Sequence, residues 1–327
     1  MKYINIFVLL SCTLLLGCLE EKDIAPDFKG TPGGGLLGIE VQAVNGNEMD
    51  LCVDLFAVNH FGSFIADIGT ECFDSIAGSG VELVIDRIEN KQQDEEGPYS
   101  ALMLFDQSGS ITNTDPENAR IDAGKGFIDV LGDGEEASVA VFTTDDFYYN
   151  PPFEVLLPFS DNKSRLKDTI ENMRFQEGGG TPLYASITGL LDYVRDNAKN
   201  DNLAIIVFTD GEDTEGGSIP LLIQEAQDRD IEVYTVGLGN DVNQTELTIV
   251  ALGTGGAVMF AEEVDQLVAL YRSLADLLRG RGEYYTTCWT AVKPFGVWAS
   301  GESFSFTIEL KLPTGEVIRY PVTGIVP

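Results

Sequence analysis

The sequence predicts an α/β fold: a doubly wound, mostly parallel sheet, inserted in or flanked by a small all-β domain. Three observations predict it. Between residues 98 and 280, apolar strand-like runs alternate with helical patterns, the signature of βαβ units with helices on both faces of one sheet. Runs such as "SALMLF" and "NLAIIVF" are continuously apolar, as strands covered on both faces must be. On either side of that block the texture changes to period-two alternation. Val81, Leu83 and Ile85 alternate with polar residues in "VELVIDRI", and Phe304, Phe306, Ile308, Leu310 and Leu312 do so in "FSFTIELKL", the pattern of half-buried strands.

The chain starts "MKYINIFVLLSCTLLLGCLE": Lys2, an apolar stretch from Ile4 to Leu16, then Gly17 and Cys18. The apolar run is too short for a permanent anchor and reads as an export signal. Its end, "LLGC", resembles a bacterial lipobox. The resemblance implies that residues 1–17 are a signal peptide and that Cys18 carries the lipid, placing the protein in the bacterial cell envelope. Leu19, with no Asp at that position, favours the outer over the inner membrane by the same resemblance. Residues 18–38 are polar, Gly- and Pro-containing and non-periodic, and read as a flexible tether. Residues 39–97 carry short β-like runs.

Inside the central block the elements follow in order: the strand "SALMLFD", the helical "ENARIDAGKGFIDVL", the strand "ASVAVFTT" and the amphipathic helix "TPLYASITGLLDYVRDNA", with Pro182 in its first turn. Then come the strand "NLAIIVFTD", the helix "IPLLIQEAQDRD", the strand "IEVYTVGLG", the helix "QTELTIVAL", the short strand "AVMFAE" and the helix "DQLVALYRSLADLLRG". Residues 281–327 return to β texture, with "PTG" turning the chain between "FSFTIELKL" and "EVIRYPV". Neither end segment is long enough for a sandwich of its own. The expectation is that 39–97 and 281–327 pair into one β domain around residues 98–280, with separate small modules as the alternative.

With 327 residues, 44% of them hydrophobic, the chain can bury one large core and a smaller one. Fifty-three acids face 20 bases, a formal charge of −33, which repels phosphate backbones and excludes nucleic acid as a natural partner. His60 is the only histidine and no CxxC occurs, so zinc is disfavoured. In an exported chain one disulfide is expected among Cys52, Cys72 and Cys288. The sequence does not choose between the pairings, although a bridge from Cys288 to either early cysteine would staple the chain ends.

The chemistry concentrates where "ALMLFDQSGSI" stops being apolar. Asp106, Ser108 and Ser110 stand at alternate positions after a buried strand, and ligands of open α/β sheets bind outside the carboxyl ends of strands. Asp210 closes "IIVFTD" at another such end, and Thr181 follows three glycines in "GGGTP". Carboxylate and hydroxyl oxygens suit Mg²⁺, Ca²⁺ or Mn²⁺. Two carboxylates largely neutralise such an ion and leave it able to accept another. The glycine run allows close backbone approach beside Thr181.

These three loops, in this order, resemble those of a von Willebrand factor type A domain, also called the integrin inserted-domain fold. Its metal-ion-dependent adhesion site uses Asp-x-Ser-x-Ser with a distant Thr and a distant Asp, here Asp106, Ser108, Ser110, Thr181 and Asp210. The resemblance spans about residues 100–278, with Ile111 where many members have Met. It implies that Ser108 and Ser110 bind the metal directly, Thr181 directly or through water, and Asp106 and Asp210 mainly through water. An acidic residue of a protein partner would complete the coordination. It also raises a shift of the last helix, 265–278, with metal coordination.

The expected function is non-enzymatic, cation-dependent capture of a protein partner, for adhesion or envelope-complex assembly, by a chain held to a membrane through its lipid. The alternatives are a scaffolding lipoprotein with a non-functional metal site and, behind it, a hydrolase working with acidic pairs. No GxSxG elbow, Walker loop or zinc motif is present, which disfavours the enzyme. Glu212, Asp213 and Glu215 read as a solvated acidic loop before an auxiliary cation site, Gly132–Glu135 as a turn, Trp289 and Trp298 as core, and Tyr148 and Tyr149 as a packed edge loop or part of the rim.

Overall fold

A computed structural model describes residues 30–77, 81–144, 151–239 and 242–327. Signal peptide, Cys18 and the first part of the tether lie outside the described residues, as do Tyr148 and Tyr149. In chain order the strands are β1 (Gly33–Asn45), β2 (Glu48–Val58), β3 (Phe73–Ala77), β4 (Glu82–Gln92), β5 (Tyr99–Asp106), β6 (Glu136–Phe142), β7 (Phe153–Ser160), β8 (Asn202–Thr209), β9 (Ile231–Leu238), β10 (Val258–Ala261), β11 (Glu283–Val292), β12 (Ser303–Lys311) and β13 (Val317–Ile325). The helices are α1 (Ile111–Thr114), α2 (Ala119–Asp129), α3 (Lys163–Glu171), α4 (Leu183–Asn197), α5 (Ile219–Gln227), α6 (Gln244–Gly253) and α7 (Asp265–Leu278).

Ten strands form one sheet in the order β4-β11-β2-β1-β10-β9-β8-β5-β6-β7. Its middle is the predicted α/β unit: β10, β9, β8, β5 and β6 are parallel to one another, and β7 closes one edge antiparallel to β6. Every residue of β5 is buried, as is every residue of β8 after Asn202, which is why those strands carry the continuous apolar runs. Alternate residues enter two cores. Leu102 and Leu104 pack with α4, α5 and α6 on one face; Ala101, Met103 and Phe105 pack with α2, α3 and α7 on the other. From β5 the chain steps one way to β6, whereas β8, β9 and β10 step the other way. The reversal leaves a crevice above β5 and β8, the place where such sheets bind ligands.

The end segments pair with each other, since β11 lies between β2 and β4, antiparallel to both. They also continue the central sheet, because β1 is antiparallel to β10 through Gly35↔Met259 and Leu36↔Val258. A separate antiparallel sheet of order β13-β12-β3 contains the predicted "PTG" hairpin. Residues 33–38 correct the tether expected over 18–38, for they are strand. The glycines are there for closeness: a Cβ on Gly34 would collide with Phe56 O, and one on Gly35 would lie 2.5 Å from Val258 O. Residues 153–171, for which the sequence patterns suggested no element, form β7 and α3.

Cys52 stands directly opposite Cys288 in the β2–β11 register, and the two form a disulfide across 236 positions of chain, leaving Cys72 free. Both tryptophans are core: Trp289 donates its indole N–H to Thr287 Oγ1 and Trp298 to Ala291 O. Among the described residues no helix is long and apolar enough to cross a membrane.

Candidate metal centre

Parallel pairing of β5 with β8 aligns Phe105 with Phe208, so Asp106 and the Thr209–Asp210 pair leave the sheet side by side. Asp106 is fully buried. Its Oδ1 accepts the backbone N–H of Ser108 at 2.7 Å, which turns the chain, and its Oδ2 accepts the Thr209 hydroxyl at 2.7 Å. Within the same loop, Ser108 Oγ lies 3.0 Å from Ser110 Oγ. Ser110 Oγ donates to Asp210 Oδ1 at 2.8 Å, and Thr114 Oγ1 donates to Asp210 Oδ2.

Thr181 arrives on the loop before α4, and that loop is zipped to the first one. Gly178 N–H donates to Gln107 O at 2.8 Å, Gly109 N–H to Gly179 O at 3.0 Å, and Gly180 N–H to Thr144 Oγ1 at 2.7 Å. A Cβ on Gly180 would stand 2.6 Å from Thr144 Oγ1, so a larger residue would push the loops apart. Thr181 itself exchanges backbone bonds with Thr214, its N–H donating to Thr214 Oγ1 at 2.9 Å and its carbonyl accepting Thr214 N–H at 2.9 Å. A Cβ built on Gly211 would lie 3.6 Å from Thr181 Oγ1 and 3.7 Å from Ser110 Oγ. The two hydroxyls therefore flank one point. All five residues singled out from the sequence meet at one rim.

The electrostatics suit a cation. Burial pushes the Asp106 carboxyl up to about 6, against the hydrogen bonds from Ser108 and Thr209 that hold it down. Burial likewise raises Asp210, with the Thr114 and Ser110 hydroxyls opposing. Among the described residues, the hydrogen-bond partners of both carboxylates are hydroxyls and backbone N–H groups, with no ammonium or guanidinium in direct contact. Two buried carboxylates with no cation bonded directly to them, Arg120 lowering Asp210 only through space, and hydroxyls around them match the donor chemistry of a hard divalent ion. No three His, Cys, Asp or Glu side chains cluster into a metal site among the described residues, as expected of a donor set built mainly from hydroxyls.

Two supporting groups escaped the sequence reading. Thr114, one helical turn beyond Ser110, caps the second oxygen of Asp210. Arg120 is entirely buried beneath the rim. Its guanidinium reaches Gln107 Oε1 at 2.7 Å, Asp115 Oδ2 at 3.0 Å, Asn118 Oδ1 at 3.1 Å and Glu177 Oε1 at 2.5 Å, while Gln107 Nε2 holds Met173 O at 2.9 Å. One side chain thus grips both loops that carry the candidate ligands. The signal was present: an arginine in the first turn of a helix, at a position aimed into the core. In the acidic loop, Asp213 accepts the N–H of Tyr184 at 3.2 Å and of Gly216 at 2.5 Å, a loop-shaping task. Glu212 and Glu215 are exposed.

Helix α7 is tied at both ends. Thr31 N–H donates to Asp265 O at 3.0 Å and Gln266 Nε2 to Pro32 O at 3.2 Å. At the far end Arg279 pairs with Glu135 at 2.7 Å and with Asp276 at 3.0 Å, so Glu135 of the expected turn is an anchor.

Among curated proteins, the chain is 27% identical over 195 residues to the collagen alpha-1(VI) chain of Xenopus laevis, covering 56% of this chain and 18% of that protein. It is 26% identical over 202 residues to the Gallus gallus counterpart, covering 58% and 19%. The chain thus spans about a fifth of the length of these relatives. Among solved structures it is similar to a von Willebrand factor type A protein from Catenulispora acidiphila (TM-score 0.48, 14% identity, 92% of this chain and 74% of that one). It is also similar to proximal thread matrix protein 1 from the mussel byssus, with a zinc-occupied MIDAS motif (TM-score 0.46, 21% identity, 57% and 49%). The family model for the von Willebrand factor type A domain matches residues 102–273, which is β5 through α7, more than half of the chain, and the chain belongs to that family.

Proposed function

We propose that this chain is a divalent-cation-dependent protein-binding lipoprotein of the bacterial envelope, anchored through Cys18 and capturing an acidic residue of its partner at the β5–β8 crevice. Domains of this family generally mediate protein–protein interaction and are typically non-enzymatic. The observation that carries the reading is the meeting of Ser108, Ser110 and Asp210 at successive contacts of 3.0 and 2.8 Å, beside a buried Asp106 that no cation among the described residues contacts directly.

In this reading Ser108 and Ser110 offer hydroxyl oxygens to Mg²⁺, with Ca²⁺ and Mn²⁺ as alternatives, and Thr181 a third. Asp106 and Asp210 supply the negative charge and orient the hydroxyls and bridging waters. A bound divalent ion supplies a Lewis-acidic position that an incoming carboxylate can fill. The glycine loop keeps the rim free of side chains on the Thr181 side, and the Arg120 network holds the two metal loops in register before a partner arrives. The surrounding acids, Glu212 and Glu215 among them, repel an acidic partner everywhere but at the metal.

A second reading, a scaffolding lipoprotein with a silent site, has one observation in its favour: the hydroxyls and Asp210 already satisfy each other through the Ser110 and Thr114 bonds. A pull-down from cross-linked native envelopes, with Mg²⁺ and with chelator, separates the two. Capture lost with chelator and lost in Ser108→Ala supports cation-dependent binding. Chelator-insensitive capture supports the scaffold.

A further inference from the structure

Phe175 breaks two rules at once. Its backbone sits at φ 61°, a left-handed conformation that a bulky L-residue rarely adopts, and its side chain is 72% exposed. The surroundings enforce this pose. Phe175 N–H donates to Asn118 Oδ1 at 3.4 Å, and that same oxygen accepts from Arg120. Asn118 is itself left-handed, at φ 58°. On one side Arg174 is pinned to Asp122 at 2.9 Å and to Glu171 at 2.8 Å; on the other, Glu177 is pinned to Arg120. A strained residue held by its neighbours, with its ring turned towards water, does little for the fold. Glycine would adopt that backbone without strain and expose no apolar surface.

The position is the metal rim. Phe175 lies three residues before Gly178, whose N–H bonds Gln107 O inside the Asp-x-Ser-x-Ser loop, and the Arg120 guanidinium links the two segments directly. The most exposed large apolar side chain among the described residues, Phe295, is on the connection after β11, next to the β1–β2 turn, where Lys293 and Trp298 N–H groups bond Asn47 O and Gly46 O; it is not part of the rim. At the same rim the exposed Glu212 and Glu215 make any further acidic contact repulsive, whereas an apolar contact is indifferent to that field and an aromatic ring is an efficient anchor.

We propose that Phe175 is the apolar anchor of the partner-binding face. It receives an apolar side chain that the partner carries close to the carboxylate bound at the metal. This rests on the cation-dependent reading above and adds a specificity element to it: the partner motif is an acidic residue with an apolar neighbour, not an acidic residue alone.

The test uses the full chain, immobilised in detergent with Mg²⁺, and a phage-displayed peptide library carrying one invariant aspartate among randomised positions. The expected result is enrichment of peptides with an aromatic or large aliphatic residue near the aspartate. Selected peptides should bind Phe175→Ser about 5- to 20-fold more weakly, the range for truncating an aromatic contact, with unchanged Mg²⁺ dependence. Phe175→Gly should lose the same affinity while unfolding at a higher temperature. Peptides that are Mg²⁺-dependent but show no apolar preference, or bind Phe175→Ser equally well, overturn the anchor and leave the metal reading standing. A lower unfolding temperature for Phe175→Gly also overturns it, since the ring would then be packing. Absence of any Mg²⁺-dependent enrichment overturns both readings.

Discussion

Ser110 Oγ donates a hydrogen bond to Asp210 Oδ1 at 2.8 Å across 100 positions of sequence. That contact exists because β5 and β8 are parallel neighbours at the point where the strand order reverses. A hydroxyl and a carboxylate from two strand ends are thereby delivered to one crevice, and the following expectations concern what they and their supports do.

Divalent metal should stabilise the folded chain. A ligand that binds only the native state at a hundredfold excess over its Kd adds about 2.7 kcal/mol. Thermal unfolding with Mg²⁺ and with EDTA should therefore differ by several degrees, and Ser108→Ala should remove the difference. An equal Mg²⁺ shift in wild type and Ser108→Ala would count against Ser108 as a ligand.

Asp106→Asn should separate charge from shape. The amide keeps an oxygen for one of the two donors, Ser108 N–H or the Thr209 hydroxyl, and lifts the cost of a buried carboxylate. The metal-free protein should be as stable as the parent or more so, while Mg²⁺ affinity falls by at least about tenfold. Calorimetric titration with Mg²⁺ beside urea unfolding reads both quantities.

Arg120→Met should cost about 3–5 kcal/mol, because it leaves Asp115 and Glu177 buried without their partner. Arg120→Lys should recover only part of this, since one ammonium cannot span Gln107, Asn118 and both carboxylates. Urea midpoints of the three proteins check the order.

Glu232 predicts a pH dependence away from the metal. Burial pushes its carboxyl up to about 7, opposed by the hydrogen bond from Tyr234 and reinforced by Glu96. With the folded value above the unfolded one, the native state keeps a proton that the unfolded chain releases. The contribution is complete below about 4.5 and is lost as pH rises through about 7. For a partly exposed group this amounts to about 1–2 kcal/mol. Wild type should lose that much relative to Glu232→Gln between pH 5 and pH 8, measured by urea unfolding; parallel profiles would show that Glu232 is not the group responsible.

Removal of the Cys52–Cys288 bridge should destabilise by about 2–5 kcal/mol. In a non-reducing digest the peptides of Cys52 and Cys288 should run linked, and Cys72 should accept an alkylating reagent. A linked Cys72 peptide would contradict the β2–β11 register.

The central block was legible because its side chains report their own environment. "SALMLFD" is apolar throughout since both faces of β5 are covered, and "TPLYASITGLLDYVRDNA" carries the spacing of α4. The candidate ligands were legible for the same reason: alternating oxygen-bearing residues after a buried strand have few purely structural uses. Phe153–Ser160 was not, since β7 is an edge strand with register shifts against β6, and such a strand carries neither a clean alternation nor an unbroken apolar run. Arg120 was named only as part of a helix, because its four partners come from three different loops.

By itself the sequence determined most strands and helices of the central block, though not β7 or α3, which residues carry the oxygen chemistry, and that the block from β5 to α7 resembles a von Willebrand factor type A domain. Only the tertiary structure decided that the outer strands extend the same sheet, that Cys288 meets Cys52 rather than Cys72, and that Phe175 is held out beside the candidate metal centre. The reason is that side-chain pattern encodes burial, whereas edge pairing runs through backbone N–H and C=O groups that are alike at nearly every residue. Which edges meet, and which distant side chains thereby come within reach, depends on the shape of the whole chain.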